Sequence, residues 1–423
     1  MENRPVEQTK IQPRSPIRIH ITTLEKIVFW STMLGVFSGP AGIRFVFFTV
    51  TPFYGIMLCN LLLLSILVGF RKIPVWVICL FLYLTLSGAI GVANGTVTVL
   101  LVMKSLIGLT ISPFYYFYFF KMKNNSYKRA FLAYTEVAVW FAVAGLPVWI
   151  FECIRAHQYV RLHGLSIEPA VFSVVILPAT YWHINQLILY RKGWVKVAIL
   201  LLTLILANSA LGFLGIIFGT MLLISRYVKH FLIVPVVACI VAALIYTHSD
   251  IFQRRVDDTL LSISSEDLSQ ANLSTYSLLS NGYVALRVLE GNPLLGNGLG
   301  SHFISHHTYV DSIPGVEIFQ IHGDQDTNAE EAGSLALRVF SELGLIGFSA
   351  VLIFLFYFYV GGSDMHSDIC RAILVCFFVK LIRDGTYFGP EQFFFIYVYM
   401  LNYHDWRQRQ KLQLSEARYC ESQ

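Results

Sequence analysis

The stretch IPVWVICLFLYLTLSGAIGV (73–92) runs for twenty residues without a charge and follows the pair Arg71-Lys72. Roughly 20 apolar residues are what an α-helix needs to cross the ~30 Å hydrocarbon layer of a bilayer. Flanking cations mark the end of such a span that stays in the cytoplasm. Working outward, further runs of this kind occupy 26–48, 52–70, 97–120, 130–151, 170–190, 194–208, 209–225, 231–247, 335–360, 368–388 and 391–403, giving about twelve spans. Composition agrees. Of 423 residues, 56% are hydrophobic and 13% charged, against roughly 25% charged in a soluble domain. The pattern predicts an all-α polytopic integral membrane protein and excludes an ordinary soluble enzyme.

The position of the 31 Lys and Arg residues says more than the net charge of +5. With the N-terminus in the cytoplasm, 21 of them fall on cytoplasmic connections and tails, as the positive-inside rule requires. The predicted order is a cytoplasmic tail at 1–25, nine spans over 26–247 with a short periplasmic loop at 152–168, a large periplasmic loop at 248–333, three spans over 334–403 and a cytoplasmic tail at 404–423. Both termini are therefore cytoplasmic, and nothing in this charge pattern suggests nucleic acid. The other ten cations are Arg44, Lys104, Arg155, Arg161, Arg254, Arg255, Arg287, Arg338, Lys380 and Arg383, all on the outer side. A cation there breaks the orientation rule, which makes each a candidate for anion binding or ion pairing. The seven cysteines are scattered without metal-like or disulfide-like spacing.

Three polar elements stand out. Arg287 precedes Gly-Asn-Pro-Leu-Leu-Gly-Asn-Gly-Leu-Gly (291–300) and then His302; Gly296, Gly298 and Gly300 either present amides to an anion or make a tight turn against the membrane surface. Arg161-Leu-His-Gly-Leu-Ser-Ile-Glu168-Pro169 puts a guanidinium and a carboxylate at the mouth of a span, as an ion pair or as a phosphate-binding fork with a base. The run from His322 through Asp324, Asp326, Asn328 and Glu331 leads into a helix bearing Arg338 and Glu342 one turn apart, the spacing of a structural pair. His322 is a general-base candidate or a solvated loop histidine. His302, His306 and His307, with Asp311 nearby, have zinc-like spacing only if helical, and the surrounding residues argue against a metal site.

The order of these elements resembles the O-antigen ligase and Wzy-type polymerase superfamily. The resemblance rests on Arg-x-x-Gly-x-x-x-Glu-Pro at Arg161–Pro169, a large late loop, Asn-Pro-Leu-Leu-Gly-Asn-Gly-Leu-Gly inside it, and Leu-Arg-Val-Phe-Ser-Glu-Leu-Gly-Leu-Ile-Gly at Leu337–Gly347. It implies inverting, metal-independent glycosyl transfer without a cofactor, at the periplasmic face of a bacterial inner membrane. Donor and acceptor would be polyprenyl-diphosphate-linked glycans, with a flippase and a chain-length regulator as pathway partners. The His-Asn pair that opens the late helix in ligases is replaced here by Gly333 and Ser334, which favours polymerase over ligase.

On this reading Arg161 and Arg287 bind the diphosphate, and Arg44, Lys104, Lys380 and Arg383 are auxiliary cations. His322 or Glu168 removes the acceptor proton, while His302, Asn328 and Gly296, Gly298 and Gly300 contact substrate. A lipid-linked oligosaccharide flippase is the alternative from another class, but the cations lie outside the midplane where carriers place them.

Overall fold

A computed structural model describes residues 16–38, 43–44, 49–50, 52–69, 72–166, 168–227 and 268–421, with isolated positions between 236 and 264. Fourteen α-helices occupy the described residues: α1 Pro16–Val36, α2 Pro52–Val68, α3 Val75–Ala93, α4 Val99–Phe119, α5 Tyr127–Ala156, α6 Pro169–Tyr190, α7 Trp194–Ala207, α8 Ala210–Tyr227, α9 Leu273–Gly291, α10 His302–Tyr309, α11 Val316–His322, α12 Leu335–Tyr357, α13 Met365–Arg383 and α14 Pro390–Glu421. Five of them, α3, α4, α5, α6 and α12, are long and apolar enough to cross a membrane, and α2, α7 and α8 are shorter apolar helices.

Two boundaries differ from the expectation. The first helix ends at Val36, short of Gly39-Pro40, and Ile43–Arg44 pairs antiparallel with Thr49–Val50, a small exception to the all-α pattern. A residue before proline is sterically pushed out of the α region, which favours a stop there. The last helix runs to Glu421, far beyond 403, because the tail is rich in Gln, Arg, Lys, Leu and Glu, all good helix formers. The ninth predicted span, 231–247, lies outside the described residues apart from isolated positions. Arg44 is placed by its backbone alone.

Connections sort onto two faces. On one, Asn124 donates to Glu25 at 2.6 Å, Lys128 pairs with Asp405 at 2.9 Å, and His366 bonds Asn402 at 3.0 Å. On the other, Leu162 N donates to the Leu206 carbonyl at 3.0 Å, Thr96 Oγ1 to that of Asn297 at 2.5 Å, and Ser334 Oγ to that of Leu381 at 2.6 Å. Successive helices from α1 to α8, and from α12 to α14, therefore alternate in direction.

The bundle is organised around α6, which buries a nearly continuous row from Phe172 to Asn185 and packs against α5, α7, α8 and α13. An aromatic cluster including Tyr115, Tyr116, Phe119, Tyr134, Phe394 and Phe395 fills the space between α4, α5 and α14. Side chains such as Leu58, Leu62 and Ile66 on α2 are instead exposed at four-residue spacing. Apolar stripes turned outward on this scale fit a lipid surround. Residues 268–322 add a second small core in which Tyr276 stacks on Phe319 with ring centroids 3.7 Å apart.

Candidate functional site: a loop threaded into a broken helix

Helix α12 is interrupted at Gly344, whose φ of 63° and ψ of −160° are not helical. The break leaves neighbouring amides and carbonyls without their usual partners, and the 292–300 loop supplies them. Leu345 N donates to the Pro293 carbonyl at 2.9 Å and Ile346 N to that of Leu294 at 3.2 Å. In return, Asn297 N donates to the Ser341 carbonyl at 2.9 Å and Gly298 N to that of Glu342 at 3.0 Å. Two stretches about fifty residues apart in sequence thus share one hydrogen-bonded unit.

This geometry decides the role of the glycines. A Cβ on Gly296 would lie 2.6 Å from the Ser341 carbonyl oxygen, one on Gly298 2.8 Å from that of Ser87, and one on Gly300 3.0 Å from that of Leu101. The loop lies backbone to backbone against α12, α3 and α4. The amide of Gly296 is taken by the Asn292 carbonyl, and those of Asn297 and Gly298 by α12. These close approaches favour the tight-turn alternative for Gly296, Gly298 and Gly300, and the amides of 296–298 are bonded within the protein.

Beneath the loop lies a buried polar network. Arg338 Nε donates to Glu342 Oε1 at 3.0 Å and its Nη1 to the Gly385 carbonyl at 3.0 Å, while the guanidinium lies 4.1 Å from the Tyr387 ring centroid. His302 is fully buried between Ser341 Oγ at 2.7 Å and Asn281 Oδ1 at 2.8 Å. Asn281 gives its amide hydrogens to the Ser277 and Thr327 carbonyls at 2.6 and 3.3 Å, so its oxygen faces the histidine. His302 Nε2–H is therefore the donor to Asn281, and Nδ1 accepts from the Ser341 hydroxyl. That bond is shorter than the competing one from Ser341 to the Arg338 carbonyl at 3.1 Å. The neutral ring thereby ties α9, α10 and α12 together, with both of its nitrogens bonded inside the protein.

Burial pushes the His302 imidazole down to about 3, with His306 and Arg338 acting in the same direction. The unfolded chain binds this proton near pH ~6.5. Folding is thus unpenalised above that value and weakens as pH falls toward the folded pKa, by up to about 1.4 kcal/mol per pH unit. Burial also pushes His306 down, to about 4, adding to the same limb. Thermal unfolding followed from about pH 7 to about pH 4 should show Tm falling less steeply for His302→Gln than for the wild type. Equal slopes would show that His302 does not set that limb.

The other candidates separate into groups. Lys380 is fully buried and pairs at 2.8 Å with both Asp384 and Glu391, joining α13 to α14. Two carboxylates neutralise it there, the ion-pairing alternative for an outer-side cation. Arg383 donates to the Ser274 carbonyl and hydroxyl, fastening α13 to α9. Asn328 donates to Ser277 Oγ at 2.8 Å. Lys104 and Glu330 form an exposed pair at 3.3 Å on the rim of the same face.

Arg287 is exposed on α9, held by Tyr283 Oη at 2.9 and 3.1 Å and by Glu290 at 2.9 Å. His322 is exposed at the end of α11 and its Nδ1 bonds the Ile318 carbonyl of its own helix at 2.7 Å. Arg161 Nε donates to the Ala207 carbonyl at 3.3 Å, with Glu168 exposed at the start of α6. The contacts of 152–168 run to α5 and α7, those of 268–334 to α3, α4, α12 and α13, so the described contacts do not join Arg161 to Arg287. Sequence reading missed the break at Gly344 as the receptor for the loop. Its signal was the glycine flanked by Leu343 and Leu345, two residues after the buried Glu342, inside a membrane-length apolar run.

Comparison with known proteins finds no matching family model, no similar curated protein and no similar solved structure.

Proposed function

We propose that this chain is a polymerase of polyprenyl-diphosphate-linked oligosaccharide repeat units, acting by inverting glycosyl transfer at the periplasmic face of a bacterial inner membrane. One observation carries the reading. Two of the stretches on which the family resemblance rests, 292–300 and 337–347, meet as a single unit, on the face where Lys104 and the Arg161 loop also lie. Face assignment follows from charge, since Lys121, Lys123, Lys128 and Arg129 sit on the opposite face, which the positive-inside rule makes cytoplasmic. Helix α8 runs parallel to α6, with Gly212, Gly215 and Gly219 against Ser173, Leu177 and Tyr181, and so ends on the cytoplasmic face.

The chemistry asked of such an enzyme matches the residues available. Diphosphate is a competent leaving group, so catalysis needs stabilisation of its growing charge, orientation of an acceptor hydroxyl and removal of one proton. Arg287 is exposed, and a solvent-screened surface pair such as that with Glu290 contributes little, so it does not withhold the guanidinium from a phosphate. Arg161 sits where α5 carries an apolar groove lined by Val143, Leu146, Pro147, Ile150, Phe151 and Ile154, suited to a polyprenyl chain. Arg161 and Arg287 bind diphosphate in this proposal, and Glu168 or His322 serves as the base. The flippase reading gains nothing from the broken helix: carriers leave unwound backbone open to a ligand, whereas here the loop occupies it.

Arg161→Ala and Arg287→Ala should each lower chain elongation by about 10²-fold or more, the effect of losing one charge-stabilising group, with protein accumulating normally. Long polymer at wild-type levels from both variants would remove the proposed site. A strain lacking the chain separates the classes by its surface glycan. Single repeats on the core support polymerase, unattached lipid-linked polymer indicates ligase, and repeats confined to the inner leaflet indicate a flippase.

A further inference from the structure

Helix α10 places His306 and His307 side by side, and the turn after α11 brings Asp326 against both. The carboxylate divides its oxygens between them: Oδ1 lies 3.7 Å from His306 Nδ1 and Oδ2 3.7 Å from His307 Nε2. These distances are too long for hydrogen bonds. In a tetrahedral site whose ligands lie about 2.0 Å from the ion, the ligand atoms are roughly 3.3 Å apart, so binding would draw the three side chains somewhat closer than they stand. One ligand atom from each of the three residues falls within 4.8 Å of the other two.

Two further observations point to a ligand rather than to packing. The His306 ring is fully buried, yet neither of its nitrogens has a hydrogen-bond partner among the described residues. A buried polar group in that state costs about 1–3 kcal/mol unless something else satisfies it. His307 is committed in the opposite sense. Its Nδ1–H donates to the Phe303 carbonyl at 3.0 Å, which leaves the Nε2 lone pair turned toward Asp326. Metal-binding histidines are oriented by a bond of this kind on the second nitrogen. A simple His306–Asp326 ion pair does not account for the arrangement, because at 3.7 Å the two groups make no hydrogen bond and the pair leaves Nε2 of the buried ring unaddressed.

We propose that His306 Nδ1, His307 Nε2 and the Asp326 carboxylate bind a divalent cation of the zinc class, with a fourth position open to solvent. Two imidazoles and one carboxylate are a borderline donor set, suited to Zn²⁺ over Mg²⁺ or Ca²⁺. The half-exposed side chains of His307 and Asp326 give the ion a way in. Its effect is to staple α10 to the turn that holds Thr327 and Asn328, which already bond Asn281 and Ser277 of α9. The site stands apart from glycosyl transfer and from the residues assigned to it.

The test uses the full chain in detergent with any purification tag removed, titrated with Zn²⁺ against a chromophoric chelator and then with Co²⁺ for its tetrahedral absorption. One ion per chain is expected, with affinity at least tenfold lower in Asp326→Asn and His307→Gln, and unchanged in His157→Gln. Both affected residues are half exposed, so these variants should fold, and the Tm of the metal-free proteins reports whether they do. Zinc should raise the Tm of the wild type and slow amide exchange over 323–333, and do neither in the two variants. Absence of stoichiometric binding to the wild type, or equal affinity in folded Asp326→Asn, overturns the proposal. Neither result bears on chain elongation, which is read separately.

Discussion

Gly344→Ala is expected to abolish the accumulation of folded protein, while Gly282→Ala, on the neighbouring helix α9, leaves stability equal or raises it by up to about 1 kcal/mol. At Gly344, φ of 63° with ψ of −160° is a conformation that essentially only glycine adopts, and another residue there costs of order 1–3 kcal/mol. Sterics add to this. A Cβ would lie 2.4 Å from the Leu294 carbonyl oxygen and 2.6 Å from Gly296 N, both backbone atoms that cannot turn away. Moving the loop aside would release the bonds from Leu345 and Ile346 to Pro293 and Leu294, and each buried orphan costs about 1–3 kcal/mol. Strain and two lost bonds together reach about 3 kcal/mol at the least, a large part of the 5–15 kcal/mol that holds a typical domain together. At Gly282, by contrast, the nearest atom to a new Cβ is Leu337 Cδ1 at 3.9 Å, an ordinary contact. Membrane-inserted yield and Tm in detergent measure both variants. A stable Gly344→Ala protein would show that the loop does not depend on the break.

The bundle was legible because a bilayer leaves few alternatives: uninterrupted apolar runs with flanking cations become helices, and 97–120 or 170–190 agree with α4 and α6 to within two residues. The separation of α7 from α8 at Asn208, which adopts φ of 44°, was fainter, because two apolar runs abut there with almost no polar sequence to divide them. Long-range pairing was not. Nothing local to Gly296 says that its neighbours will bond α12, since backbone groups of any residue can do so and the glycines merely permit it. The charges show the same limit. Lys380 and Lys104 look alike as orphan cations, and only the fold shows that one is enclosed by Asp384 and Glu391 while the other faces solvent. The flanking residues misdirected the reading of the histidines. His302–Tyr309 is helical despite its flanking residues, and the carboxylate beside His306 and His307 is Asp326, not the nearby Asp311.

Arg338 and Glu342 are within the same resemblance and equally buried, so their contribution can be separated from that of the exposed arginines by asking what each loses alone. Arg338→Met should destabilise the protein by about 3–5 kcal/mol, because Glu342 then keeps a charge in a site where its only described cation has gone. Glu342→Met should cost a similar amount by stranding the guanidinium, although the Gly385 carbonyl and the Tyr387 ring retain part of its surroundings. Removing both charges lifts the desolvation cost that each single variant leaves behind, so Arg338→Met/Glu342→Met should be more stable than either. Recovery is incomplete, since the Gly385 carbonyl loses its donor and an unpaired buried acceptor costs about 1–3 kcal/mol. Tm values for the four proteins give the coupling directly. If the double variant instead loses the sum of the two single losses, the charges are not coupled, and the pair has to be understood as two independent sites. With stability recovered, chain elongation in the double variant then distinguishes a pair that only holds α12 against the segment at 385–388 from one that also acts on the diphosphate: retained elongation assigns it to the scaffold, and lost elongation in a folded protein brings it into the site beside Arg161 and Arg287.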